Sequence, residues 1–187
     1  MAYKIKEMNI GTKIVLALLV ISLYSCKRHL QKTKPKPITT EFDFSSIDKF
    51  KETKEKGLII SDYSSVFEPT QRQELSNLIT DYNLKTTRQI AVVTVDRISP
   101  YNDIGKFTND LANYLGVGEA KKDNGLVMAL CTSCKQIFIA TGTGTELILT
   151  DDICKEVIQK TMVPEFKKGD FYNGIKNGVT VLIEKWK

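Results

Sequence analysis

Apolar residues fall along this chain in blocks, and the spacing inside each block predicts an element. Residues 57–62 (GLIISD) form a short β-branched run that closes on a carboxylate. Pro69-Thr70 then opens a segment in which Leu75, Leu78, Ile79 and Tyr82 recur at i, i+3, i+4 and i+7, with Arg72, Glu74 and Asp81 on the opposite side. That spacing predicts an amphipathic helix, and proline suits its first turn. Residues 90–95 (IAVVTV) are nearly all apolar and β-branched, the pattern of a strand buried on both faces of a parallel sheet. After a break at Ser99-Pro100-Tyr101-Asn102, the residues Ile104, Phe107, Leu111 and Leu115 predict a second helix, closed by Gly116 and Gly118. Residues 125–130 and 136–140 are strand-like runs so close together that only a hairpin joins them. Beyond a Gly-rich loop, Thr150 predicts the N-cap of a third helix, with Asp151 and Asp152 in its dipole-favoured first turn. Ile153, Val157 and Ile158 face inward until Pro164 breaks that helix, and Ile175, Val179, Leu182, Ile183 and Trp186 mark a C-terminal one. Helices and strands alternating around a hairpin predict an α/β fold: a three-layer α/β/α sandwich around a mixed β-sheet.

The N-terminal part reads differently. Lys4, Lys6 and Lys13 precede residues 14–23, a mostly apolar run with the form of a secretory signal and too short for a comfortable membrane span. It ends Leu23-Tyr24-Ser25-Cys26, which resembles a bacterial lipobox, although Tyr24 is bulkier than the usual occupant. The resemblance implies that residues 1–25 are a lipoprotein signal peptide. Cys26 then becomes the lipidated first residue, holding the protein on a cell-envelope membrane and facing the periplasm or exterior. An uncleaved amphipathic or membrane-inserted N-terminus is the alternative. Residues 26–56 read as a tether, charged and stiffened at Lys34-Pro35-Lys36-Pro37. Within it, Phe42, Phe44, Ile47 and Phe50 either pack weakly on the domain or form a short helix after Ser45-Ser46; the tether reading leaves them loosely held. Residues 57–187 are then the folded domain.

The formal net charge of +5 changes meaning once it is located. Residues 27–36 hold five basic residues and no acid, whereas residues 57–187 hold 15 Lys plus Arg against 16 Asp plus Glu, a net of −1. The basic balance therefore sits in the leader and tether, where it suits an anionic membrane surface. The domain lacks a basic stripe with interleaved aromatics, so no nucleic-acid partner is expected.

The chemistry-bearing residues concentrate between Lys121 and Asp152. Asp123, Glu146, Asp151 and Asp152 lie near turns and a helix start, and Asp62 closes the first strand. Asp62, Asp123-Asn124 and Glu146 are expected to meet at one edge of the sheet, where open α/β folds take their ligands. The local readings are a turn at Asp123-Asn124-Gly125 and a cap at Thr150-Asp151. The only histidine, His29, precedes the domain, which removes Ser-His-Asp and Cys-His mechanisms. Gly142-Thr143-Gly144 offers backbone N–H groups but lacks the P-loop lysine and spacing. Cys131 and Cys134 flank a strand-to-strand turn, unlike a thioredoxin pair, and zinc lacks a fourth ligand. A structural thiol or a disulfide is expected and, outside the cytoplasm, a disulfide between Cys131 and Cys134 or with Cys154.

Taken together, these pieces resemble the TPM domain family. They are Ile60-Ser61-Asp62, residues 90–95 with Asp96, Gly116-Val117-Gly118, Lys122-Asp123-Asn124-Gly125-Leu126, Gly142-Thr143-Gly144-Thr145-Glu146, Leu149-Thr150-Asp151, and residues 164–174 (PEFKKGDFYNG). Members are bacterial envelope proteins, often anchored, and thylakoid-lumen proteins linked to photosystem repair. The resemblance implies acid-phosphatase activity in some members, divalent-ion binding in others, and assembly or accessory roles in others again. Carried over by position, it implies Ca²⁺ or Mg²⁺ held by Asp62, Asp123, Asn124, Glu146 and Asp151. One departure weighs against direct transfer: Thr132-Ser133-Cys134-Lys135 stands where the family commonly carries acidic turn residues and an arginine. The favoured expectation is a lipid-anchored, non-catalytic accessory protein of an envelope complex; the alternative is a low-specificity metal-dependent acid phosphatase. No catalytic residue is singled out.

Overall fold

The computed structural model describes residues 43–187; the leader, Cys26 and His29 lie outside them. Four strands form one mixed sheet in the order β1 (Ile60–Asp62), β2 (Gln89–Val95), β3 (Gly125–Cys131) and β4 (Gln136–Thr141). The first three run parallel and β4 returns antiparallel as the second arm of the hairpin. In register, Asp62 stands beside Thr94 and Thr94 beside Leu130, while Gln89 faces Gly125 at the other end. β2 and β3 are buried along almost their whole length, which accounts for their unbroken apolar sequences.

Two helical layers sandwich the sheet. The first helix, α1 (Asp48–Lys56), and α3 (Ile104–Leu115) pack on one face. On the other face lie α2 (Pro69–Thr86), α5 (Asp151–Val157) and α7 (Phe171–Lys185). Strand alternation divides the core accordingly: Ile90, Val92, Leu126 and Met128 join one cluster, and Val93, Val95, Ala129 and Cys131 the other. Trp186, just past α7, is buried against Tyr82, whose hydroxyl donates to the Trp186 carbonyl at 2.6 Å. Among the described residues no helix is long and apolar enough to cross a membrane.

Two local expectations change. The folded unit includes residues 43–56, which the tether reading left outside it. A 3₁₀ turn at Phe44–Ser46, N-capped by Asp43, leads into α1 and buries Phe44 and Phe50 at 3% exposure each. Phe44 stacks with Tyr101 and Tyr114 and meets Phe50 edge-on at 5.3 Å. Two aromatic side chains each burying well over 100 Å² outweigh the polar character of the surrounding sequence. Pro164, in turn, does not end the third helix. The chain widens through a π turn at Ile158–Met162 and continues as α6 (Val163–Phe166), with Pro164 in that segment's first turn. Proline cannot donate to a carbonyl of the turn before it, and the wider π turn lies directly ahead of it, where the regular ladder is already interrupted.

Candidate functional site

Polar groups gather at both ends of the sheet, and they are different groups. At the carboxyl end, Asp62 closes β1 and its carboxylate accepts three hydrogen bonds. The Val66 amide (3.1 Å) and the Thr94 hydroxyl (2.6 Å) donate to Oδ1, and the Phe67 amide (2.9 Å) donates to Oδ2. Thr94 is fully buried, and its oxygen accepts in turn from the Ser64 amide at 3.2 Å. The Ser64 and Thr132 hydroxyls lie 3.4 Å apart, and Thr132 donates to Asp96 at 3.0 Å. Asp62, the last residue of β1, and Asp96, directly after β2, are thus linked through Thr94 of β2, the amide and hydroxyl of Ser64 in the loop after β1, and Thr132 of the hairpin turn.

At the amino end, Asp123 and Asn124 precede β3. Asp123 adopts a left-handed conformation (φ 46°), and its carboxylate accepts from the Thr143 amide at 2.9 Å and, at short range, from the Thr143 hydroxyl. These bonds hold its pKa below the usual carboxylate value, the hydroxyl contributing most. Asn124 is buried and uses both ends of its amide: its oxygen accepts from the Glu119 amide (2.8 Å) and its nitrogen donates to the Thr87 carbonyl (3.1 Å). The Gly-rich stretch closes over the same residues. A Cβ on Gly142 would lie 2.3 Å from the Asp123 carbonyl oxygen, and one on Gly144 1.9 Å from that of Lys122. Thr145, fully buried, donates to the Gly125 carbonyl at 2.9 Å. These glycines let two stretches of backbone approach each other, so the two motifs form one clasp.

Glu146 ends the short helix α4 (Thr143–Glu146), and Asp151 opens α5, which Thr150 caps by accepting from the Ile153 amide. Both carboxylates act on the buried thiol of Cys154. Desolvation first, then Asp151, then Glu146, push its pKa up to about 11. Cys131 and Cys134 are joined by a disulfide across the hairpin turn, and Cys154 is free.

The five residues expected to hold an ion therefore do not share one coordination shell. Asp62 is level with Leu130, five strand steps from Gly125, which is roughly 17 Å at 3.3 Å per residue. Asp123 and Asn124 lie beyond Gly125. A parallel sheet puts a residue that follows a strand and one that precedes a strand at opposite ends. Among the described residues, no three or more His, Cys, Asp or Glu side chains are placed to hold a metal together. Asp96, Ser64, Thr94 and Thr132 went unselected in the sequence, although an Asp directly after a buried parallel strand is a signal for the ligand edge.

The family model for the TPM domain matches residues 60–185. No curated protein matches the chain. Among solved structures, it is similar to the N-terminal domain of a protein from P.gingivalis, with TM-score 0.64 and 24% identity over 73% of this chain and 85% of that one. It is also similar to the N-terminal domain of the cg2496 protein from Corynebacterium glutamicum (TM-score 0.55, 17% identity, 69% and 80% covered). The BA42 protein from the psychrophilic bacterium Bizionia argentinensis gives TM-score 0.56 and 19% identity, with 65% and 86% covered. At these identities the likeness is one of fold.

Proposed function

The chain belongs to the TPM domain family, and from that premise we propose that it is a lipid-tethered envelope protein whose domain works by binding, as an accessory to a membrane complex, and not as a phosphoesterase. The observation that carries this reading is the use made of its carboxylates. Asp62 accepts three hydrogen bonds, two that shape the β1–α2 loop and one from Thr94 of β2, and Asp123 accepts two that fasten the clasp. A carboxylate that is to activate water or bind a phosphate-bridging metal needs its lone pairs directed at the ligand. Here most point into the fold.

The ion part of the reading rests on the carboxyl edge. Asp96, with the Thr132 and Ser64 hydroxyls beside it and the one acceptor position of about four that Asp62 leaves uncommitted, offers hard oxygen donors suited to Ca²⁺ or Mg²⁺. With two carboxylates, affinity on the order of 10⁻⁴–10⁻³ M is expected, as in extracellular calcium modules. The role of such an ion would be to brace the hairpin turn against the β1–α2 loop.

Release of phosphate from an aryl phosphate by the full chain, with chelator, Ca²⁺ or Mg²⁺, tests the first part. Rates at background under all conditions are expected. Saturable, metal-dependent turnover that is lost in folded Asp62→Asn or Asp96→Asn variants would replace this reading with the phosphatase one. Metabolic labelling with a radioactive fatty acid tests the tether: label should enter the native chain and be absent from Cys26→Ala.

A further inference from the structure

β4 forms the outer edge of the sheet and hydrogen-bonds only to β3 within it. Among the described residues, no loop or helix backbone hydrogen-bonds to its outward N–H and C=O groups. Edge strands are commonly blunted by a proline, an inward charge or brevity. β4 (QIFIAT) runs six residues with no proline and no charge. Beside its first residues lies a groove of about 490 Å³, floored by Leu130, Ile137, Val163, Phe166 and Phe171. That size falls within the range of roughly 300–1,000 Å³ typical of specific binding sites.

Lys135 and Lys167 also line the groove, and both are exposed. Among the described residues neither ammonium pairs with a carboxylate, whereas the neighbouring Lys168 takes Glu165 at 2.8 Å. An open main-chain ladder, an apolar trough and two unspent positive charges thus occur together at one corner of the domain.

We propose that β4 accepts an added strand from a partner protein: an extended segment with apolar residues at every second position and carboxylates at the end nearest the hairpin turn. Main-chain bonds to β4 supply affinity that is indifferent to sequence, and side chains on alternate positions supply selectivity. Apolar residues facing the trough cover Ile137 and Phe166. The carboxylates meet Lys135 and Lys167, which fixes the direction in which the segment runs. An acyl lipid with an anionic headgroup would satisfy the trough and the lysines, yet would leave the strand edge unused. The inference concerns a different face from the carboxyl edge and stands independently of whether the domain hydrolyses phosphoesters.

The test titrates the isotope-labelled full chain with three short synthetic peptides. One alternates valine and threonine and ends in two glutamates; the second ends in two lysines; the third has the residues of the first in blocked order. The first peptide is expected to shift and protect the amides of residues 136–141. Its affinity should fall at least tenfold in the Lys135→Glu/Lys167→Glu variant, which should then prefer the lysine peptide. Absence of any change in the β4 amides up to millimolar peptide would overturn the proposal, as would equal binding of the blocked-order peptide. Shifts confined to Lys135 and Lys167 on addition of phosphatidylglycerol vesicles, with no peptide reaching β4, would also overturn it and assign this corner to an anionic membrane surface.

Discussion

Replacing Asp62 with alanine asks whether its carboxylate serves the fold. The side chain is partly buried, and it accepts from the Phe67 amide, the Val66 amide and the Thr94 hydroxyl. Phe67 and Thr94 are buried at 5% and 0% exposure, so water cannot readily replace the lost acceptor for either. Each donor left unsatisfied costs about 1–3 kcal/mol. Val66 is only half-buried and regains some hydration, so its share is smaller. The sum is about 3–5 kcal/mol, a large part of the roughly 5–15 kcal/mol that holds an ordinary domain together. Urea denaturation reads it directly, because Trp186 is the only tryptophan and is 1% exposed. Asp62→Asn keeps the shape and one acceptor oxygen but turns an NH₂ toward an N–H donor, so an intermediate loss of about 1.5–3 kcal/mol is expected for this charge-assisted site. A loss below about 0.5 kcal/mol in Asp62→Ala, within the range of ordinary surface substitutions, would refute the reasoning. The carboxylate would then be free for a ligand.

Further outcomes are expected elsewhere. Phe44→Ala should cost about 3–5 kcal/mol in the same denaturation experiment, the usual penalty for emptying a buried aromatic site; a loss under 1 kcal/mol would return residues 43–56 to the tether. Because the Asp123 pKa is depressed, its contribution to the clasp is fully present above the ordinary value of 3.8 and is lost as pH falls through the depressed one. Amide exchange at Thr143 should accelerate in that acid window, and Thr143→Val should move the onset to higher pH. Cys154, with its thiol near 11, should resist iodoacetamide at pH 8 until urea unfolds the chain. Glu146→Gln/Asp151→Asn should change that rate by less than tenfold, since burial is the leading cause of the shift; a larger acceleration would mean that the two charges govern the thiol.

Much of the architecture was legible in the hydrophobic pattern, because burial on two faces, on one face and on none leaves different periods. Residues 90–95 announced a central strand, and the short gap between 130 and 136 permitted only a hairpin. Phe44 and Phe50 were obscured because their neighbours are charged and polar; their partners, Tyr101, Phe107 and Tyr114, lie some fifty residues or more away. The π turn before Pro164 has no period of its own. The separation of Asp62 from Asp123 was within reach of the sequence: one ends a strand and the other precedes one, and a parallel sheet sends those positions apart. The Gly142 and Gly144 contacts required the fold itself, since a spacing of glycines does not say whether backbone or ligand comes close.

Burial of Phe44 has a consequence for reach. With Cys26 as the lipidated residue, a tether ending at residue 56 would give 30 residues of leash, or roughly 100 Å fully drawn out at about 3.4 Å each. Fastening the chain at residue 43 leaves residues 27–42, 16 of them, and a limit of roughly 55 Å. On the proposed anchor, the point where the domain begins would stay within about 55 Å of the bilayer, about half the reach of the longer leash, and a partner would lie no farther out than that distance plus the width of the domain itself.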